Sequence, residues 1–369
     1  MNIILVNYME TTEPGGINKV VREIASSLSQ NHRITVLQPN PLNLPNEELI
    51  DGYQIIRINS RFGNHFYEFN PQIYFYLKKN LKKLNPDIIH IHGYHTSFSL
   101  EMIYLFRRFN PKIPIIFSPH YDIFSHDTFA GKYLWNVHNF IGKHIIKSSD
   151  LIIAASNFES KNINNDLNVP KDKIMIIPHG VDTIDIKKEN KKGNLLNLLY
   201  VGYLMELKGV QHLIKVLDEL INEKNVQTHL TIIGEGPYED NLRSLADKLD
   251  LNEFINWRGF IHSAELNELL KYYKKSNVFL LLSQSENYGI VVTEALAMGT
   301  PTIVTKRTAL KEFLNEPGCF GVDYPPDPKK VSDLILKIYN DEISVGPLSN
   351  KIRTWKDVIP AYEAVYENW

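Results

Sequence analysis

The stretch SQSENYGIVVTEALAMGTPTIV, residues 283 to 304, decides the fold. The apolar run NVFLLLS (277 to 283) enters it as a strand, a polar loop follows, and a helical segment opens near Gly289. Gly-Thr-Pro then leads into a second apolar run, TPTIVT (300 to 305). Strand, helix and strand in that order make one unit of a parallel sheet. In a doubly wound sheet, ligands bind at the carboxyl ends of the strands. A helix beginning near Gly289 aims unpaired N–H groups and a partial positive charge at an anion there. A diphosphate meets that demand.

The same rhythm extends outward in both directions. LNLLYVG (196 to 202) and HLTIIG (229 to 234) precede the stretch, with the helical pattern VQHLIKVLDELINE between them. In the other half, NIILV (2 to 6), RITVL (33 to 37), DIIHIH (87 to 92), IPIIFS (113 to 118) and LIIAAS (151 to 156) alternate with helical segments. Continuous apolar strands separated by helices indicate parallel sheets covered on both faces. The fold class is therefore α/β, with two Rossmann-like, doubly wound domains. The polar, lysine-rich segment TIDIKKENKKGN (183 to 194) separates them, giving an N-terminal domain over 1–182, a linker over 183–194 and a C-terminal domain over 195–354. The closing stretch WKDVIPAYEAVYENW (355 to 369) spaces Tyr362, Tyr366 and Trp369 as an amphipathic helix does, which predicts that these rings pack into a core.

Bulk properties bound the function. A chain of 369 residues, 43% hydrophobic and 22% charged, suits two folded domains. Forty basic and forty-two acidic residues leave a formal charge of -2, so nucleic acid is not an expected partner. The single cysteine, Cys319, rules out a disulfide framework and fits a reducing, cytoplasmic location. The N-terminus reads as a strand rather than a secretory signal, and the apolar runs fall far short of the roughly 20 residues that span a bilayer.

Glu286 lies in the polar loop and Glu294 about one turn into the helix. Paired carboxylates of glycoside hydrolases stand roughly 5 to 9.5 Å apart, whereas eight residues of helix separate two groups by about 12 Å. The spacing favours two carboxylates that hydrogen-bond different hydroxyl-bearing parts of one ligand. Taken alone, such glutamates are usually surface residues.

Glu286, seven intervening residues and Glu294, with Gly289 between and Ala-Leu-Ala-Met-Gly-Thr-Pro behind, resemble the EX7E signature of the retaining GT-B glycosyltransferases of family 4. The resemblance continues in order along the chain. It includes Pro14-Gly15-Gly16, Pro86-Asp87-Ile88-Ile89-His90, Ser118-Pro119-His120 and Pro178-His179-Gly180-Val181-Asp182. Val201-Gly202 through Lys208-Gly209 and Gly234-Glu235-Gly236-Pro237 complete it.

The resemblance implies two domains facing across a cleft, the C-terminal one for a nucleotide-sugar donor and the N-terminal one for a glycan, lipid-linked or small-molecule acceptor. The helix 355–369 would return to the N-terminal domain, and Pro178 to Asp182 would form the hinge. It also implies roles. Glu294 binds the donor ribose, Glu286 the hydroxyls of the donor sugar, with backbone N–H groups of Asn287, Tyr288, Gly289 and Ile290 nearby. Lys208 neutralises the diphosphate as the leaving group gains charge, and His120 contacts the hexose. Gly15 and Gly16 let backbone approach the phosphates and acceptor. Tyr203 stands where family members usually carry an arginine, and it supplies no charge; either another cation substitutes, with Arg258 or Lys306 as candidates, or diphosphate binding is weaker. No metal and no cofactor is expected.

Other motifs carry less. GEGPYE after HLTIIG lacks the third glycine of a dinucleotide fingerprint, Glu239 standing in its place. His90, His92 and His95 have the composition of a metal cluster without proven convergence. IYFYLKKNLKKLN (73 to 85) reads either as a helix with aromatics inward and lysines in water, or as a peripheral contact with the inner membrane face. The rival functions are another GT-B enzyme, such as a sugar-nucleotide epimerase or phosphorylase, and a silent sugar-nucleotide-binding protein, for which Tyr203 is the hint.

Overall fold

The computed structural model describes residues 1–13, 15–59, 69–122, 129–183, 195–262 and 265–369. The chain forms two compact units: Met1–His179 with Trp355–Trp369, and Gly180–Thr354. The expected linker lies outside the described residues from 184 to 194. The last helix belongs to the N-terminal unit.

In the N-terminal unit the strands are β1 (Asn2–Val6), β2 (Arg33–Pro39), β3 (Glu47–Ile50), β4 (Tyr53–Ile58), β5 (Ile88–His92), β6 (Ile115–Ser118), β7 (Leu151–Ala154) and β8 (Ile174–Ile176). They order as β3-β4-β2-β1-β5-β6-β7-β8. The helices are α1 (Gly16–Leu28), α2 (Pro71–Leu84), α3 (Ser97–Phe109), α4 (Phe129–Ile145) and α5 (Asn157–Leu167). Ile3, Ile4, Leu5 and Val6 are all buried, because a central parallel strand has helices on both faces and both sets of side chains face inward.

The sheet is not wholly parallel, as the sequence pattern had suggested. β3 runs antiparallel to β4, joined through Asp51 and Gly52, both at positive φ, as a two-residue type I′ hairpin turn requires. The apolar-run criterion also passed over the short edge strand β8 and, in the second unit, two further edge strands. An edge strand buries fewer side chains and so lacks a long apolar run.

A buried ion pair ties this side of the sheet to the loop after β1. Arg57 of β4 donates from Nε to Glu10 Oε2 at 2.7 Å and from Nη2 to Oε1 at 3.1 Å. Both residues are buried. Glu10→Ala should take from the guanidinium its buried partner, leaving only the more exposed Glu48 at 2.7 Å, and cost about 2–4 kcal/mol, measured by urea denaturation; a loss below about 1 kcal/mol would contradict that role.

The C-terminal helix, Trp355–Glu367, packs against α1. Its Tyr366 hydroxyl meets His90 Nδ1 at 2.6 Å, and Glu363 Oε1 lies 2.8 Å from His32 Nε2. Tyr362 and Tyr366 are buried as expected, but Trp369 lies beyond the helix end and is exposed.

The C-terminal unit holds β9 (Leu196–Val201), β10 (Thr228–Ile233), β11 (Ile255–Gly259), β12 (Val278–Leu281), β13 (Thr302–Thr305) and β14 (Cys319–Val322). They form a parallel sheet ordered β11-β10-β9-β12-β13-β14. Its helices are α6 (Val210–Asp218), α7 (Glu239–Lys248), α8 (Leu266–Lys275), α9 (Ile290–Ala297) and α10 (Pro328–Asn340). Where the chain enters and leaves this unit, Val181 N–H donates to Arg353 O at 2.9 Å, and Val181 bridges Thr354 in parallel.

Candidate functional site

From β9 the chain steps outward to β10 and β11, and from β12 it steps the other way to β13 and β14. The two loops leaving β9 and β12 therefore diverge at neighbouring strand ends, and that point of divergence is where open α/β sheets bind ligands.

The two loops are stitched together. Gln284 N–H donates to Leu207 O at 2.8 Å. Gly209 sits at φ 76°, where a Cβ would come within 2.1 Å of the Leu282 carbonyl oxygen, so only glycine permits this approach. As a result the Lys208 ammonium, after β9, donates to Glu286 Oε1, after β12, at 2.7 Å. Both side chains are largely buried yet keep a solvent edge.

Gly289 caps α9 at φ 92°. A Cβ there would meet Leu310 Cδ2 at 2.6 Å. The helix thus begins where the Glu286 loop ends, bringing its leading N–H groups and positive dipole end to that loop. One turn further, Glu294 is 3% exposed and its Oε2 accepts from the Tyr273 hydroxyl of α8 at 2.8 Å. A buried carboxylate needs such partners. Burial first, and the Glu294 charge second, push the Tyr273 hydroxyl well above its ordinary pKa, so it stays a donor.

The other residues expected here fall into two groups. Asn287 and Ile290 flank Gly289, half-buried. Tyr288 turns inward, edge-on to Phe313 with ring centroids 5.5 Å apart, so its backbone is the part suited to ligand contact. Tyr203 is 57% exposed. Arg258 bonds Glu268 at 2.9 Å on edge strand β11, and Lys306 lies 3.6 Å from Asp323.

Sequence reasoning also placed residues in the N-terminal unit. Gly15 and Gly16 are the cap and first residue of α1, leaving β1; Pro14 lies outside the described residues. His120 follows β6 at φ 49°, left-handed for a residue with a side chain. It is 8% exposed. Its Nε2 is 3.1 Å from His92 Nδ1, and its ring centroid is 5.6 Å from that of His179. The His90 and His92 rings lie 4.1 Å apart, tilted by 38°, while His95 stacks on Trp135 at 5.2 Å. Burial holds His90 and His179 down to about 3, and His92 and His120 well below the ordinary value. The column is neutral at pH 7, so His120 works as a hydrogen-bonding group rather than a cation.

Glu159 was not singled out from the sequence, though Ser156-x-x-Glu159 is a capping box that signals it. Ser156 Oγ accepts from Glu159 N at 3.0 Å. The buried carboxylate accepts from Tyr121 N–H and Ala155 N–H, both at 2.7 Å, and so fixes the backbone that follows His120. Burial raises Glu159 from 4.5 to about 7. A carboxyl raised on folding stabilises the folded state fully below its ordinary pKa, and that contribution is lost as pH rises through the folded value. Over the window from 4.5 to about 7, the native protein should lose about 3 kcal/mol more stability than Glu159→Gln. Urea titrations at stepped pH would measure this, and parallel pH slopes would contradict it.

Residues 181–355 match the family described as "Glycosyl transferases group 1", and residues 14–184 match "Glycosyltransferase Family 4". The chain is 26% identical over 335 residues to an alpha-monoglucosyldiacylglycerol synthase of Streptococcus pneumoniae, covering 84% of this chain and 72% of that one. The fold resembles a sucrose-phosphate synthase of Thermosynechococcus elongatus with TM-score 0.81 and 17% identity, over 99% and 98% of the two chains. It also resembles Anabaena HepE, solved in complex with UDP and glucose, with TM-score 0.70 and 14% identity, over 99% and 95%. Two Rossmann-like units, each matched by its own family, make this chain a hexosyltransferase, and it belongs to the family 4 glycosyltransferases of the GT-B fold.

Proposed function

We propose that the protein transfers a hexosyl unit from a UDP- or GDP-sugar to a hydroxyl acceptor with retention of anomeric configuration. The observation that carries this reading is the Lys208–Glu286 contact at the β9/β12 divergence, beside the start of α9 and one turn from buried Glu294. Positive charge, hydroxyl-accepting carboxylates and the positive end of a helix at one strand-end locus match the three parts of a nucleoside-diphosphate sugar. HepE, with the same fold, was solved with UDP and glucose.

In this reading Glu294 holds the ribose, Glu286 the sugar hydroxyls, and Lys208 with the α9 amides the diphosphate. Tyr203 contributes at most a hydrogen bond. The positive end of α9 and Lys208 supply the charge that a divalent ion would otherwise bring, so the reaction needs no metal. In the N-terminal unit, His120 contacts the hexose as a neutral imidazole, and the Gly15–Gly16 turn serves the acceptor. The bond from the anomeric carbon to the diphosphate breaks, the acceptor oxygen bonds to the same face, and its proton passes to the departing phosphate oxygen. The single buried cysteine accords with a reducing cytoplasmic setting.

Incubating the protein with a donor and a panel of glycan, lipid-linked and small acceptors, then reading the product by NMR, tests the proposal. An anomeric configuration equal to the donor's is expected. An inverted product contradicts retention, and a changed sugar without acceptor identifies an epimerase instead.

A further inference from the structure

The crossovers from β4 to β5, β5 to β6 and β6 to β7 all advance in one direction across the sheet. Right-handed connections therefore place α2, α3 and α4 on one face, where α2 packs on α3 and α3 on α4. The inner side of α4 is well seated. Trp135 meets the Tyr94 ring edge-on at 6.0 Å, His138 Nε2 lies 2.7 Å from Tyr94 O, and Tyr94 OH donates to Asn139 Oδ1 at 2.7 Å.

The outer side of α4 is a stripe of Tyr133, Leu134, Val137, Phe140 and Ile141, all exposed, Phe140 at 70%. Helical spacing puts these five on one side of the helix. Neighbouring α2 turns outward Phe75, 67% exposed, together with Lys78, Lys79, Lys82 and Lys83. Neither helix carries an acid. Glu101 of α3 is buried, accepting from Asn70 N–H, and Arg108 of α3 is exposed. In a chain whose formal charge is -2, this face is locally strongly basic.

We propose that the α2–α4 face docks on an anionic lipid bilayer, α4 seating its apolar stripe among the acyl chains and the α2 lysines resting on the head groups. Charge complementarity selects this occupant. A second copy applied symmetrically would set lysines against lysines, whereas an anionic surface pairs with them, and long lysine stems reach head groups while the rings sit below. No helix among the described residues is long and apolar enough to cross a membrane, so α4 lies along the surface. This inference does not depend on the donor or the sugar.

Sedimentation with vesicles of phosphatidylglycerol and phosphatidylcholine in equal parts, compared with phosphatidylcholine alone, tests it. The protein should pellet with the anionic vesicles only, and less at high salt. Phe140→Ser with Ile141→Ser, and separately Lys79→Glu with Lys82→Glu, should each lower partitioning at least about tenfold. A dye on Phe140→Cys, selective because native Cys319 is buried, should shift to the blue on anionic vesicles. Absence of vesicle binding, unchanged binding by the variants, an unshifted dye, or a dimer that the same substitutions dissolve would each overturn the proposal.

Discussion

Glu294→Ala should raise the dissociation constant for the nucleoside diphosphate by roughly 10²- to 10⁴-fold. The estimate rests on two hydrogen bonds from ribose hydroxyls to an ionised carboxylate, each contributing about 1.5–3 kcal/mol. Burial at 3% exposure keeps water from replacing them. Alanine also strands the Tyr273 hydroxyl, which now donates to Glu294, so some loss of stability is expected. Glu294→Gln separates the effects: it keeps an acceptor for Tyr273, removes the charge, and should still weaken binding by about tenfold or more. Calorimetric titration of the three proteins reads both, and an unchanged constant in Glu294→Ala removes the ribose assignment.

Lys208→Ala should act on the chemical step instead. A fixed cation aimed at a leaving group that gains charge contributes about 3–4 kcal/mol to the transition state, so kcat/KM should fall roughly 10²- to 10³-fold. Lys208 is held by Glu286 at 2.7 Å, and in the proposed reading the donor exchanges part of that contact for its diphosphate and sugar. Glu286→Ala should therefore depress turnover more than nucleoside-diphosphate affinity, because the nucleotide's own partners remain. Lys208→Arg, which keeps the charge, should recover part of the loss. Steady-state kinetics on the single and double variants checks this. A change below about threefold for Lys208→Ala would assign the lysine to the Glu286 contact alone.

Much of this architecture was legible because parallel strands announce themselves. NIILV, HLTIIG and NVFLLLS are runs that only a sheet covered on both faces buries, and the structure places a strand in each. What escaped were elements held by something other than apolar runs. β3 and β4 are joined by Asp51-Gly52, a turn signal rather than a hydrophobic one. β11 and β14 are edge strands with only one strand neighbour.

The site divides the same way. Glu286, Gly289 and Glu294 are read from one local stretch, since loop, cap and helix follow one another in sequence. The Lys208–Glu286 contact joins residues 78 positions apart, and Tyr273 reaches Glu294 from a different helix; neither distance is encoded locally. Arg258 on the outer strand β11 pairs with Glu268 of α8, again a contact that no local pattern encodes.

The central claim is that the C-terminal unit is built to hold a nucleoside-diphosphate sugar. A thermal-shift screen of the native protein and Glu294→Gln against UDP-, GDP- and ADP-sugars tests it most directly, because a ligand that binds only the folded state stabilises it by about 2.7 kcal/mol at one hundred times its dissociation constant. At least one of these donors should raise the native melting temperature by roughly 5–10 °C and raise that of Glu294→Gln by clearly less. No shift with any donor, or equal shifts in the two proteins, would contradict the account.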